Sequence, residues 1–375
     1  MKIALLGTRG IPANYGGFET CVEEISTRLV LRGHEVTVYC RSGYYDKKLE
    51  NYKGVNLIYL PNLNLKAFDT ISHTFFSVCH CMLRKYDIHM IFNAANSPAV
   101  IPLKIVGKKI AINTDGLEWK RGKWGKTAQK YYKISEHIST KLTEYIVADS
   151  IGIQEYYKNE YNVGSYFIAY GAYEQNSTNL NLLEKINVLP NEYFLQITRF
   201  EPENNPLLTI EAYKKLKTSK KLVLVGGAKY ETEYLKAIYS YKNDTNIIFP
   251  GFIYDKNLLK ELWCNSFAYI HGNEVGGTNP ALLQTMGSNS FIIARDVIFN
   301  REVLGKDGGV FYGKNADDLA GKMQYLIENA HKLTFMKRNS IDRLKKFYNW
   351  DRITEKYERM FYDMLKNKID FIYDY

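Results

Sequence analysis

The sequence predicts an α/β chain built from two doubly wound parallel sheets. Short apolar runs rich in Val, Ile, Leu and Tyr alternate with amphipathic stretches from end to end, and the alternation runs through twice. Each half also carries a Gly-rich loop between a strand-like and a helix-like run, the place where such sheets bind ligands. At 375 residues the chain is long for one core and suits two domains.

In the first half, read as a domain over 1–172, strands are expected at 2–6, 34–40, 55–60, 87–93, 108–113, 145–149 and 166–170. Each is a short apolar run, as strands covered by helices on both faces require. Helices are expected at 18–32, 68–85 and 127–143, where apolar positions recur among polar ones. Residues 173–190 (YEQNSTNLNLLEKINVLP) are polar, Asn-rich and end in Pro, and read as a linker. A second domain over 191–348 follows, with strands at 193–198, 221–225, 246–249, 266–270, 290–294 and 309–312. Its helices are expected at 205–217, 229–240, 255–264, 280–287 and 315–329. From about 332 to 367 the pattern is helical without strands, and 349–375 is expected as a C-terminal helix crossing back to the first domain.

Composition narrows the function classes. No segment approaches the ~20 apolar residues that span a bilayer, and Ile3 to Leu6 is too short for a signal peptide's apolar region. A cytosolic location is expected. Five scattered cysteines do not make a disulfide framework, and Cys79-His80-Cys81 lacks the second pair a metal site needs. The net charge of +10 is uneven: nine basic residues lie between Lys104 and Lys133 against two acidic ones, Asp115 and Glu118. Trp119 and Trp124 are interleaved with them. No nucleic-acid motif accompanies the charge, so the expected partner is an anionic membrane surface or a lipid-linked phosphate.

Two loops carry the chemistry. In HGNEVGGTNPALLQTMG (271–287), Gly272, Gly276 and Gly277 let a ligand approach the backbone, Asn279 can cap the following helix, and Pro280 suits its first position. A loop feeding a helix N-terminus suits phosphate. In GTRGIPANYGGFET (7–20), directly after the first strand, the spacing is Gly-x-x-Gly, not the Gly-x-Gly of a dinucleotide site. The second strand also ends without the acid that would hold a ribose. A phosphate or sugar fits this longer loop better. NTDGLEWKRGKW (113–124) places Asp115 at the carboxyl end of the fifth strand, and TRFEPENN (198–205) places Arg199 after the first strand of the second half. Arg binds a diphosphate bidentately.

These stretches, with FNREVLG (299–305), resemble in order the GT-B glycosyltransferases of family 4. They resemble most closely the bacterial rhamnosyltransferase-like branch, which builds capsule, O-antigen and other cell-wall polysaccharides. The resemblance implies two Rossmann-like domains facing a cleft. It also implies a retaining transferase that moves a sugar, L-rhamnose from dTDP-rhamnose, from a nucleotide diphosphate donor to a lipid-linked saccharide acceptor. A UDP-hexose donor, or a non-catalytic carbohydrate-binding homologue, is the alternative. Neither cofactor nor metal is expected, and no Asp-x-Asp occurs in the chain.

Carried over residue by residue, Asp115 and Arg199 are catalytic. Gly16, Gly17, Arg199, Asn204, Gly276, Gly277, Thr278, Asn279 and Gln284 bind the donor. Tyr15, Trp119, Lys120, Arg121, Lys123, Trp124 and Lys126 serve the acceptor and the inner face of the cell membrane, where the enzyme would sit peripherally. Three departures from the family pattern stand out. Asp115 replaces a histidine, no Lys follows Arg199 closely, and the paired glutamates of many relatives are Gly276 and Gln284. A Gln bonds a ribose hydroxyl without a carboxylate's charge, which favours a deoxyribose donor.

Overall fold

The computed structural model describes every residue except 14–15, 64–68, 121–123, 229 and 372–375. The chain divides into two compact units, Met1–Gly171 with Trp350–Tyr375, and Ala172–Asn349. Each has one doubly wound sheet.

The first unit's sheet has eight strands: β1 (Lys2–Leu6), β2 (Glu35–Arg41), β3 (Asn51–Tyr52), β4 (Val55–Leu60), β5 (Ile88–Phe92), β6 (Ile110–Asn113), β7 (Ile146–Ala148) and β8 (Tyr166–Phe167). Their order is β3-β4-β2-β1-β5-β6-β7-β8, parallel throughout except for the β3–β4 hairpin. The strand order reverses direction between β1 and β5, which opens the crevice after those two strands. The helices are α1 (Gly17–Leu31), α2 (Asp69–Met82), α3 (Ser97–Ile105), α4 (Lys126–Leu142) and α5 (Ile151–Tyr161).

The second sheet has six parallel strands: β9 (Tyr193–Arg199), β10 (Lys221–Gly227), β11 (Ile247–Gly251), β12 (Ala268–His271), β13 (Phe291–Arg295) and β14 (Val310–Tyr312). The order β11-β10-β9-β12-β13-β14 reverses between β9 and β12. Alternate residues feed two cores: Phe194, Leu222 and Leu224 one, Tyr193, Leu195, Val223 and Val225 the other. Burial on both faces explains the unbroken apolar runs. The helices are α6 (Pro206–Tyr213), α7 (Glu233–Tyr239), α8 (Lys256–Asn265), α9 (Pro280–Gly287), α10 (Ile298–Leu304), α11 (Ala316–Asn329) and α12 (Thr334–Phe347).

The helical end is two elements, with α13 (Trp350–Leu365) following α12 after a break. In the first unit, α13 packs on α1 through Arg28–Asp351 (2.9 Å) and Arg32–Glu358 (2.7 Å). Its buried Tyr357 hydroxyl accepts from Asn113 Nδ2 at 2.9 Å.

The stretch 173–190 is not a free linker. It belongs to the second unit, where a 3-10 turn over Leu180–Ile186 buries Leu183 and Val188 nearby enters the same core. The buried carboxylate of Glu261 on α8 holds it down. It accepts from the Ser177 hydroxyl (2.5 Å), the Thr178 and Asn179 amides (2.7 and 3.0 Å) and Asn265 Nδ2 (3.0 Å). Burial works to raise the Glu261 pKa, but these donors outweigh it and hold the carboxyl below its ordinary 4.5. Its contribution to stability is therefore complete above about pH 4.5 and is lost as pH falls through the lower folded-state value. Glu261→Ala should strand several buried donors and cost about 3 kcal/mol or more, read from the shift in urea midpoint. Between pH 5 and pH 3 the wild-type midpoint should fall more steeply than that of Glu261→Gln; parallel curves would place the clamp elsewhere.

Candidate active site

At the carboxyl edge of the second sheet, the segment after β9 and the loop after β12 flank the strand-order reversal. Short amide side chains lock the two together. Asn205 Nδ2 donates to the Gly272 carbonyl (2.8 Å), Asn273 Nδ2 to Asn204 Oδ1 (2.8 Å), and Gln196 Nε2 to the Asn204 carbonyl (3.0 Å). Asn204 Nδ2 reaches back to the Arg199 carbonyl at 2.9 Å. The approach is so close that a Cβ on Gly272 would lie 2.2 Å from the Asn204 carbonyl oxygen. Gly226 brings β10 equally near, since a Cβ there would lie 1.8 Å from the Thr198 carbonyl oxygen.

Against this locked backbone, the half-buried Arg199 guanidinium takes no hydrogen bond or ion pair from any described residue. The amides of Gly276 and Gly277 are likewise unclaimed among the described residues, and Gly276 sits at φ +135° with open space around it. A cation and two backbone donors beside a sheet crevice make an anion site.

Several assigned residues behave otherwise. Asn204 is buried and spends its amide on Arg199 and Asn273, so it positions loops and does not line the site. Asn279 does cap α9, its side chain accepting from the Ala281 amide at 2.9 Å. That cap, together with the Leu282 and Leu283 amides bonded to the Asn279 carbonyl, consumes the donors of the first turn. Among the described residues, the free amides that could meet an anion therefore lie in the loop ahead of the helix. Thr278 is buried there. Gln284 Oε1 accepts from Gln175 Nε2.

Glu274 and Arg295 were not anticipated. Arg295 Nε and Lys314 Nζ hold the Glu274 carboxylate at 3.0 and 2.8 Å, and the Glu274 amide donates to Glu203. Burial works to raise the Glu274 pKa, and the hydrogen bonds from Lys314, Arg295 and Asn205 more than reverse it. The Val-Gly-Gly run ending β10 was the one readable signal for the Gly226 approach.

In the first unit, the loop after β1 meets β5 across the other reversal point. A Cβ on Gly7 would lie 2.4 Å from the Phe92 carbonyl oxygen, and Asn96 Nδ2 donates to the carbonyls of Gly7 (3.2 Å) and Phe92 (2.8 Å). Gly16 precedes α1 at φ +124° and supplies no side-chain cap, so Gly16 and Gly17 leave that helix end open. Glu19 and Glu23 draw in the loop by accepting from the amides of Arg9 (3.1 Å) and Ala13 (2.6 Å). Asp115 follows β6 at φ +65°, its amide bonded to Asn113 Oδ1 at 3.1 Å, and is only partly buried.

The basic segment does not form one face. Strand β6 runs through it fully buried, so Lys104, Lys108 and Lys109 lie at the amino edge of the sheet and Lys120 and Lys126 beyond the carboxyl edge. The tryptophans are engaged: Lys133 Nζ lies 4.2 Å over the Trp119 ring, and Trp124 Nε1 donates to Glu118 at 3.1 Å. Both are half-buried, which is unlike membrane anchors. Tyr15, Arg121 and Lys123 lie outside the described residues.

Residues 183–343 match the family of glycosyl transferases group 1. The second unit carries a glycosyltransferase domain. Residues 1–173 match a domain of unknown function, DUF1972. The chain is similar in structure to sucrose-phosphate synthase from Thermosynechococcus elongatus (TM-score 0.81, 16% identity, 98% and 100% of the two chains). It is also similar to Anabaena HepE in complex with UDP (0.77, 15%, 97% and 100%) and to the lipopolysaccharide outer core galactosyltransferase WaaB (0.67, 16%, 97% and 99%). The fold is thus that of the GT-B glycosyltransferases, two Rossmann-like α/β domains. An uncharacterized protein in the cps region of Klebsiella pneumoniae is 35% identical over 65 residues, 17% of its length and of this chain's.

Gly272→Ala should push its methyl into the Asn204 backbone, cost about 1–3 kcal/mol in stability, and loosen the loop that faces the ligand. A melting temperature equal to wild type would show that the two loops separate freely.

Proposed function

We propose that the chain transfers a sugar from a nucleotide diphosphate donor to a lipid-linked saccharide, in bacterial surface polysaccharide synthesis. The observation that carries this is Arg199, a cation without a partner among the described residues, at the second sheet's reversal point beside the Gly276-Gly277 amides. In that position it would bind the diphosphate and stabilise it as a leaving group without a metal. The C1–O bond to the diphosphate breaks, and the acceptor oxygen bonds to C1 on the same face. The departing phosphate oxygen accepts the hydroxyl proton. Asp115 would orient the sugar or stabilise the positive charge developing on it. The cps-region relative supports the polysaccharide setting.

We take dTDP-rhamnose as the donor, because the Gln284 amide offers ribose less than a carboxylate would. A UDP-hexose is the second reading, favoured by the likeness to HepE, which binds UDP. Enzyme and acceptor would meet at the inner face of the cell membrane. No described helix is long and apolar enough to cross one.

A thermal-shift comparison of dTDP, UDP and GDP should raise the melting temperature, most strongly with dTDP. No shift with any of the three would remove the transferase reading, and the largest shift with UDP would decide for the hexose. Arg199→Ala should lose 1.5–3 kcal/mol of nucleotide affinity, about ten- to a hundredfold in Kd. Asp115→Asn should lose turnover while nucleotide binding and melting temperature stay at wild-type values. If it unfolds instead, Asp115 is a turn residue.

A further inference from the structure

Two helices on one face of the first sheet show an outer surface that the transferase site does not use. On α2 and just past its end, Phe75, Phe76 and Leu83 point outward, Leu83 being 85% exposed. On α3, Ile101, Lys104 and Ile105 recur at helical spacing on the solvent side, with Ile105 at 78% exposure, and the half-buried Lys108 follows in the turn after the helix. The two helices pack against each other, so these stripes form one surface. Beside it opens a groove of about 460 Å³ lined by Lys104, Lys108, Lys109 and Lys141, with Glu144 as its only carboxylate among the described residues. Large apolar side chains this exposed and this close together mark an interaction site.

We propose that this surface docks on an anionic phospholipid bilayer. The protruding Phe, Leu and Ile side chains insert among the lipid chains near the headgroups, and Lys104, Lys108 and Lys141 meet the phosphates, while Lys109 is held by the Met364 carbonyl and Asn367. A second copy of the chain is disfavoured by charge, because a symmetric contact would bring two lysine grooves together. The surface lies at the amino edge and outer face of the sheet, so docking leaves the carboxyl-edge loops open to substrate. The inference deepens the reading above and rests on an acceptor carried by a lipid. It moves the membrane contact from the Trp119–Lys126 segment to α2 and α3.

The test is flotation with vesicles of phosphatidylcholine alone and with about 30% phosphatidylglycerol, at low and high salt. Wild type should float with the anionic vesicles at least tenfold better, and salt should release it. Leu83→Glu with Ile105→Glu, and separately Lys104→Glu with Lys108→Glu, should each lose flotation tenfold or more. Melting temperature and the nucleotide-induced shift should be unchanged. Ile105→Trp supplies a second readout, a blue-shifted emission on adding anionic vesicles. Absent flotation, equal binding to neutral vesicles, variants that float like wild type, or an unmoved Trp emission would each overturn the proposal. So would a dimer in sedimentation equilibrium that the Glu variants dissolve. Wild type that floats but shows no nucleotide shift would instead overturn the transferase reading alone.

Discussion

The candidate site rests on buried side-chain amides. Gln196, Asn204, Asn205 and Asn300 are each almost wholly removed from water, and each donates to a backbone carbonyl of the loops around the second sheet's reversal point. A buried amide donor left unpaired costs about 1–3 kcal/mol, and the observed arrangement of the loops after β9 and β12 gives all four NH2 groups an acceptor, while the buried Gln196 Oε1 has no partner among the described residues. In that arrangement short side chains are used up internally, while the long Arg199 side chain is left to face outward. Rigidity and an available cation therefore come from the same few residues. This is the preorganisation that the proposed transfer would require.

The two Gly-rich loops solve the anion problem differently. Ahead of α9, Asn279 and its carbonyl consume the first-turn donors, and binding falls to the loop amides and Arg199. At α1 the Gly16-Gly17 pair leaves the helix end open, but Glu19 stands close: a Cβ on Gly16 would lie 2.0 Å from its carboxylate. That negative charge opposes phosphate at the α1 end, although the Arg9 guanidinium, 3.9 Å from the Glu19 carboxylate, offsets part of it.

Every expected strand formed, because a strand buried on both faces must be apolar along its length, and that pattern is local. The helices that escaped prediction lack such a local pattern. Helix α3 (SPAVIPLKI) is apolar nearly all round and contains Pro102; α10 is seven residues long; α5 is only weakly amphipathic. Residues 173–190 look like a linker because their anchor, Glu261, lies some eighty residues away. The basic run from 104 to 133 looks like one patch because a charge count ignores that β6 passes through the sheet in its middle. Arg199 and the Asn279 cap were legible, since each follows from a strand end or a helix start. Asn204 was not, because its role depends on Asn273 and Gln196 across the crevice.

Asn204 also bears on the absence of a Lys close after Arg199. Its Oδ1 accepts from Asn273 Nδ2, and its Nδ2 donates to the Arg199 carbonyl. An ammonium has no acceptor, so Lys in its place would strand the Asn273 donor and place a charge in a buried position. The missing Lys is thus a condition of the amide lock as this chain builds it. Its consequence is electrostatic. Among the described residues at the crevice Arg199 is uncommitted, whereas Arg295 and Lys314 are paired with Glu274. On the proposed reading, phosphate recognition would therefore rest on one guanidinium held against a locked backbone, where two flexible cations would otherwise share it.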